Sequence, residues 1–174
     1  IQSYDSIKKI AKELKAKYKK IDGLINSAGI ASLNLALMTP EKVSKQIINT
    51  NLLGTIFSCQ NFGPLIIRNK KGFIINFSTI AVALGLKGES IYCASKAGVE
   101  AFSKSFSKEM SDFNINVNCI LPGVIDTPTN RAQMPDADFS AWVDPAKIAE
   151  VIGFLCSEKS VSVSGASVPV YGRS

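Results

Sequence analysis

The segment Phe73-Ile-Ile-Asn-Phe-Ser-Thr79 decides the fold of this chain, because it begins with an apolar Phe-Ile-Ile run and ends in two hydroxyl side chains. A short, unbroken run of this kind is typical of a central parallel strand that is covered on both faces. Ligands of open parallel sheets bind at the carboxyl ends of the strands. We therefore predict a strand at 73–78 and a functional edge of the sheet at Ser78 and Thr79.

The rest of the chain is read from the period of its apolar residues and from its Gly and Pro residues. We predict strands at 21–26, 115–120 and 165–171, and helices at 3–20, 40–68, 92–112 and from Asp144 onward. We expect Thr39 to cap the second helix, with Pro40 at its first position and a bend at Gly63-Pro64. The polar, proline-containing residues 126–144 predict a long functional loop or a small lid.

Tyr92 stands four residues before Lys96 and thirteen residues after Thr79. Residues four apart share a face of a helix, so the Lys96 ammonium is expected beside the Tyr92 phenol, where it favours the ionised form. Such a phenol is a usable proton donor and acceptor. Tyr4 and Lys8 have the same spacing, but they follow no strand, and we interpret them as part of a solvated surface.

Five motifs occur in order along the chain, and their order is more specific than any one of them. They are Asn26-Ser-Ala-Gly29, Asn51, the pair Ser78-Thr79, Tyr92 with Lys96, and Pro122-Gly-Val-Ile-Asp-Thr127. Together they resemble the short-chain dehydrogenase/reductase family, with the closest general likeness to its 3-oxoacyl-carrier-protein reductases. The resemblance implies an α/β fold, a doubly wound parallel sheet of the Rossmann type with helices on both faces.

The resemblance also implies hydride transfer between NAD or NADP and a carbonyl or alcohol substrate, either of the 3-oxoacyl type or a small ketone. It implies that Tyr92 is the general acid, that Lys96 lowers the phenol pKa and binds the cofactor ribose, and that Thr79 binds the substrate oxygen. Asn51 is then expected to hold a water that links Lys96 to solvent. The implied cofactor-binding residues are Asn26, Ala28, Gly29, Tyr92, Lys96, Pro122, Gly123, Ile125 and Thr127.

The chain departs from the family pattern at two positions. Thr79 stands where the family has its catalytic Ser, and Ser78 falls one residue earlier; Thr keeps the hydroxyl but adds a methyl group. Ser27 replaces the second Asn of the strand-end motif. The role of the Ser is therefore open between Thr79 and Ser78.

The first strand and the Gly-rich turn that binds pyrophosphate in this fold do not occur in the sequence. Two missing βαβ units would make about 60 absent residues. We expect residues 1–174 to be a single domain, the C-terminal portion of a Rossmann-type domain, or else the protein has lost its pyrophosphate site.

Composition excludes several classes of function. The net charge of +6 comes mostly from residues 1–20, whose seven Lys predict one solvated helix, so we expect no nucleic-acid binding. The chain has no His, which excludes a Ser-His-Asp triad and makes a metal site unexpected. The wide spacing of its four Cys favours reduced thiols in a cytoplasmic protein. No apolar run reaches the roughly 18 residues of a membrane span.

Two alternatives to a carbonyl reductase remain open at this point. The loop from Asp126 to Trp142 is similar to the corresponding segment of dihydropteridine reductases, which belong to the same family and keep the Tyr and Lys without depending on the Ser. The absent Gly-rich turn and the Thr at the Ser position instead fit a non-catalytic nucleotide-binding regulatory or scaffold protein.

Aromatic side chains recur on the two long predicted helices, at 40–68 and 92–112. Phe57 and Phe62 lie on the first helix, and Phe102 and Phe106 lie four residues apart on the second. Together with the family resemblance, they predict a homodimer or homotetramer through these helices. The alternative is that the same rings face the sheet of their own domain.

Overall fold

The computed structural model describes residues 1–172 and has strands and helices in alternation. Its helices are α1 (Tyr4–Tyr18), α2 (Glu41–Ile48), α3 (Gly54–Ile67), α4 (Ala81–Leu84), α5 (Ser90–Ser111), α6 (Pro128–Gln133) and α7 (Pro145–Leu155). Its strands are β1 (Gly23–Asn26), β2 (Gly72–Phe77), β3 (Ile115–Pro122) and β4 (Ser167–Val170). Short 3₁₀ turns lie at Ala36–Met38, Phe139–Ala141 and Glu158–Ser160.

The four strands form one parallel sheet in the order β1-β2-β3-β4. β2, the strand predicted from 73–78, lies between β1 and β3, and its residues Ile74 and Ile75 are fully buried on the two faces. Because all strands run the same way, their carboxyl ends meet at one edge. The predicted α/β fold with a parallel sheet is confirmed.

Helices cover both faces of this sheet. On one face, α3 and α5 pack on a core formed by Cys59, Ile66, Ile74, Met110, Ile115 and Val117. On the other face, α7 packs on a core formed by Ile75, Ile120, Val143, Ile148 and Leu155.

The start of α7 is as the sequence predicts, but the start of α2 is not. Asp144 accepts a hydrogen bond from the backbone N–H of Ala146, and Pro145 is the first helical residue. The prediction that Thr39 caps α2 is wrong, because Pro40 takes the cap position. The Thr39 hydroxyl instead donates to the carbonyl of Leu35, across the 3₁₀ turn that ends there.

The predicted helix at 40–68 is interrupted, but not at Gly63-Pro64. Pro64 lies inside α3, which continues to Ile67. The hydrogen-bond pattern changes upstream, where Asn49–Leu53 forms a π-helical turn between α2 and α3. Such turns are rare and frequently occur at functional sites, and this one contains Asn51.

No helix in the described part of the chain is long and apolar enough to cross a membrane.

A candidate active site at the carboxyl edge of the sheet

The end of β2 directs its two hydroxyl side chains to different partners. The Ser78 hydroxyl donates to the backbone carbonyl of Lys96 over 3.0 Å and is buried. The Thr79 hydroxyl accepts from the backbone N–H of Ala81 over 3.2 Å and is hydrogen-bonded to the Tyr92 side chain. Thr79 rather than Ser78 therefore lies beside the phenol, while Ser78 fastens the strand to α5.

α5 reaches this edge with a buried stripe of side chains facing the sheet. The stripe consists of Lys96, Val99, Ser103, Ser107 and Met110, at the spacing of three and four residues that keeps side chains on one face of a helix. Lys96 is the residue of the stripe closest to the carboxyl edge, and its Nζ donates to the carbonyl oxygen of Phe77 over 2.8 Å. The ammonium group is thus held at the end of β2, one residue before Ser78.

Burial controls the pKa values of both groups. Burial raises the pKa of Tyr92 above its ordinary value, and the hydrogen bond from Thr79 opposes this only in part. Burial also lowers the pKa of Lys96 to about 8. The net shift of the Tyr92 pKa is therefore upward, opposite to the lowering that the sequence predicts. Tyr92 is therefore held as a protonated phenol.

The Asn51 side chain joins the loop after β1 to the rest of the site. Its Oδ1 accepts from the backbone N–H of Ile30 over 2.8 Å, and its Nδ2 donates to the Ile30 carbonyl over 2.8 Å and to the Ser95 hydroxyl over 3.0 Å. Both amide N–H groups are thereby used, and one lone pair of Oδ1 remains. A water bound to Asn51 would have to use this lone pair or the backbone.

Gly29 provides space beside Lys96 and Asn51. A Cβ atom at this position would lie 3.2 Å from the Lys96 Nζ and 3.3 Å from the Asn51 Oδ1. Contacts that short are tighter than ordinary van der Waals packing, so a side chain here would press on both polar atoms. Ala28 and Gly29 are exposed at the edge of the sheet, which leaves their backbone open to a ligand.

Asn26 differs from the residues that follow it. Its side chain is buried and donates to the Asn76 Oδ1 over 2.8 Å and to the Cys59 sulfur over 3.4 Å. The amide therefore points into the layer between the sheet and α3. Its predicted place in the cofactor wall is consequently limited to its backbone.

The segment after β3 forms the other side of the edge. Pro122 accepts a hydrogen bond from the backbone N–H of Ile80, which ties this segment to the loop that follows Thr79. Ile125 forms an isolated parallel bridge with Val143. The Thr127 hydroxyl accepts from the backbone N–H of Asn130 and so caps α6. Pro122 therefore lies next to the loop that follows Thr79, and the rest of the predicted set leads from there into α6.

The predicted loop at 126–144 is an ordered segment that contains α6 and a 3₁₀ turn. Arg131 binds Asp126 through two hydrogen bonds, of 2.6 and 2.8 Å. Its guanidinium group lies 4.7 Å from the ring centroid of Phe139, whose ring is 4.7 Å from that of Trp142. This Arg–aromatic cluster joins α6 to the 3₁₀ turn.

Sequence reasoning missed three groups that support the site from outside it. The Phe77 carbonyl, the Ser95 hydroxyl and the Asn76 amide hold Lys96, Asn51 and Ser103 respectively. The partner of Asn76, Ser103, did have a signal in the sequence: helical spacing from Lys96 through Val99 puts it on the side of the helix that faces the sheet. A backbone carbonyl such as that of Phe77 has no signature in a sequence.

A separate cavity of about 390 Å³ lies at the opposite, amino-terminal edge of the sheet, bordered by Lys71, Asn116 and Glu158. It contains none of the predicted site residues. We place the chemistry at the carboxyl edge, because ligands of parallel sheets bind there and because the polar side chains described above converge there.

Comparison with known proteins gives a consistent result. The family model described as short chain dehydrogenase matches residues 1–138. The chain is 34% identical over 176 residues to the 3-oxoacyl-acyl-carrier-protein reductase of Thermotoga maritima, covering 97% of this chain and 72% of the relative. It is 34% identical over 180 residues to the enzyme of the same name from Staphylococcus aureus strain Mu50, with the same coverage. For the one from Chlamydia pneumoniae the identity is 34% over 165 residues, covering 90% and 66% of the two chains.

Proposed function

The chain belongs to the short-chain dehydrogenase family, and we propose that it reduces the keto group of a 3-oxoacyl substrate. It is an NAD(P)-dependent oxidoreductase. The names of its relatives support the 3-oxoacyl substrate. The observation that carries the proposal is the hydrogen-bonded pair of Thr79 and Tyr92 at the end of β2, with Lys96 buried beside it.

In this proposal Tyr92 is the proton donor. Reduction of a carbonyl turns its oxygen into an alkoxide, which needs a proton from a group within hydrogen-bond reach. Because burial raises the pKa of Tyr92, its phenol stays protonated at neutral pH and can supply that proton from Oη. Thr79 shares a hydrogen bond with the phenol, so both hydroxyls can meet at one substrate oxygen and stabilise the negative charge that grows there.

Lys96 has a supporting role. A positive charge next to the site stabilises the phenolate that remains after Tyr92 has given up its proton. Asn51 holds the loop after β1 against α5 through its hydrogen bonds to Ile30 and Ser95. These bonds fix the position of Gly29 beside Lys96. We propose that a water at the free lone pair of Asn51 returns a proton to the site through Lys96.

The residues present fit a nicotinamide cofactor. Gly29 leaves the space beside Lys96 and Asn51 free of a side chain, and the neighbouring Ala28 is exposed. We propose that Gly29, Lys96 and the segment from Pro122 to Thr127 hold NAD or NADP. When bound, the reduced nicotinamide supplies the hydride.

We further propose that the protein is a cytoplasmic homodimer or homotetramer. Cys59, Cys93, Cys119 and Cys156 are free thiols, which fits a reducing compartment. Self-association is proposed through the faces of α3 and α5 that point away from the sheet.

Cofactor oxidation by the intact protein tests this function. The purified protein is mixed with NADPH or NADH and, in separate assays, with a 3-oxoacyl thioester, a panel of small ketones and a quinonoid dihydropterin. We expect turnover that is fastest with the 3-oxoacyl thioester. Turnover confined to the dihydropterin would replace the substrate class, and cofactor binding without turnover of any substrate would favour the scaffold alternative.

A further inference from the structure

One row of side chains crosses the sheet beneath α5. The residues paired in register across the four strands are Asn26, Asn76, Cys119 and Ser167. Asn76 is in the centre of the sheet and is fully buried. An apolar side chain would normally occupy such a place, because burying an amide is unfavourable unless all its hydrogen bonds are made.

The hydrogen bonds of Asn76 connect three elements. Its Nδ2 donates to the Ser103 hydroxyl of α5 over 2.8 Å, and its Oδ1 accepts from Asn26 of β1 over 2.8 Å. The Ser103 hydroxyl in turn donates a hydrogen bond to the Val99 carbonyl over 2.7 Å. Both Asn76 and Ser103 are shielded from water, so the bond between them is not exchanged for bonds to solvent.

The two residues that follow Asn76 on the strand also bind α5. The Phe77 carbonyl accepts from the Lys96 Nζ over 2.8 Å, and the Ser78 hydroxyl donates to the Lys96 carbonyl over 3.0 Å. β2 therefore holds α5 at two points, Lys96 and Ser103, which are separated by roughly 10 Å along the helix at about 1.5 Å per residue. Two directional contacts at that separation fix both the sliding and the rotation of the helix.

We propose that Asn76 is a positioning residue for the reaction, which holds α5 through Ser103 so that Tyr92 and Lys96 keep their places against Thr79. The inference rests on the proposed function of these three side chains. Apolar contacts between α5 and the sheet are not directional, so they stabilise the packing without selecting one setting of the helix. The hydrogen bond selects it, because its strength depends steeply on distance and angle.

The test compares two variants of the intact protein that each disturb one buried amide. Ser103→Ala removes the acceptor of Asn76 without touching any residue of the proposed active site. Asn118→Ala is the matched control: Asn118 is equally buried, but its side chain binds the backbone of Val163 and Ala166 rather than α5. Both variants should lower the melting temperature, because each loses a buried hydrogen bond.

We expect only Ser103→Ala to lower kcat when both variants are assayed well below their melting temperatures. A displacement of about 1 Å in a catalytic group can reduce the rate on the order of 100-fold, so we expect a loss of roughly 10- to 100-fold. Ser103→Thr, which keeps the hydroxyl, should restore most of kcat. Equal kcat values for Ser103→Ala and Asn118→Ala would overturn the proposal and leave Asn76 a purely structural residue.

A second measurement does not depend on turnover. Hydrogen exchange of the amides from Tyr92 to Ser103 should become faster in Ser103→Ala and stay unchanged in Asn118→Ala, because only the first variant loosens α5. If the parent protein turns over no carbonyl substrate, the proposed function fails, and exchange alone then decides whether Asn76 sets the helix. Unchanged exchange in Ser103→Ala would overturn that role.

Discussion

The Lys96 Nζ donates a hydrogen bond of 2.8 Å to the Phe77 carbonyl oxygen at the end of β2. A single neutral carbonyl compensates little of the cost of removing an ammonium group from water. The result is a pKa lowered to about 8 by burial. A lysine kept in this state at the carboxyl edge of a parallel sheet is typical of a functional group rather than of a packing residue.

The stability of the protein should therefore depend on the ionisation of Lys96. Its pKa falls from 10.5 in the unfolded chain to about 8 in the folded one, so the unfolded state binds more protons between these values. Stability should rise with pH across that window, because the buried charge is progressively lost. The shift corresponds to on the order of 3 kcal/mol, at about 1.4 kcal/mol per pKa unit.

Lys96→Met isolates this contribution, because the thiols and phenols that also titrate there are common to both proteins. At neutral pH the substitution should raise the free energy of unfolding by roughly 2 kcal/mol. This is less than the full effect of the buried charge, because Met loses the hydrogen bond to Phe77, which is worth about 1 kcal/mol. Denaturant unfolding at several pH values measures the difference. The advantage should disappear as the pH rises from 8 to 10.5. A difference that does not change with pH would contradict the buried-charge explanation.

Tyr92→Phe should remove nearly all reductase activity while leaving the fold and the cofactor affinity close to those of the parent. Phe keeps the ring and deletes only the hydroxyl that donates the proton, and Thr79 keeps its bond to Ala81. Steady-state kinetics and cofactor binding are the measurements. The chain offers a control in Tyr4→Phe, at the other Tyr-x-x-x-Lys pattern, where the ring is exposed and packs edge-on against Phe57. This variant should keep full activity; equal rates for Tyr92→Phe and the parent would mean that another group is the acid.

Thr79→Val should lower kcat by less than Tyr92→Phe does. Loss of one donor to a developing oxyanion typically costs about 10²- to 10³-fold. Thr79→Ser should keep or increase the rate, because the hydroxyl remains and the methyl group is gone. Ser78→Ala is the comparison, since the Ser78 hydroxyl donates to the Lys96 carbonyl. A larger kcat loss for Ser78→Ala than for Thr79→Val would reverse the roles assigned to the two hydroxyls.

Regular periodicity is what made most of the fold predictable. The strand around Ile74 and the helix α5 were predicted from the pattern of residues that must be buried, and both elements are confirmed. Local chemistry also predicted the start of α7, where Asp144 caps the helix and Pro145 is its first residue. The cap of α2 was wrong because the segment before it forms its own turn, in which the Thr39 hydroxyl has a better partner.

The candidate site was predictable at the level of side-chain identity and not at the level of its electrostatics. The order of the motifs predicted that Thr79, Tyr92 and Lys96 lie near one another at one edge of the sheet. Spacing could not show that burial, rather than the neighbouring charge, would dominate the phenol pKa. The sequence spacing also could not show that the Asn51 amide donates both its N–H groups to Ile30 and Ser95, because these residues are far from Asn51 in the chain.

The stacked aromatic rings of α5 bear on where two subunits can meet. The rings of Phe102 and Phe106 stack with centroids 5.1 Å apart and pack in part on the core of their own domain. We therefore expect the contact between subunits to involve the outer face of α5, where Ala101 is exposed midway along the helix. Light scattering at micromolar concentration should give the mass of a dimer or tetramer.

Ala101→Glu should convert that assembly to monomers, because an unpaired carboxylate buried between two subunits is strongly unfavourable. The same change at Ala132, which is exposed on α6, serves as the control for added charge and should leave the mass unchanged. If the parent is monomeric, or if Ala101→Glu keeps the full mass, then the outer face of α5 is not the interface. The aromatic residues of α3 and α5 would in that case serve only the core of their own domain.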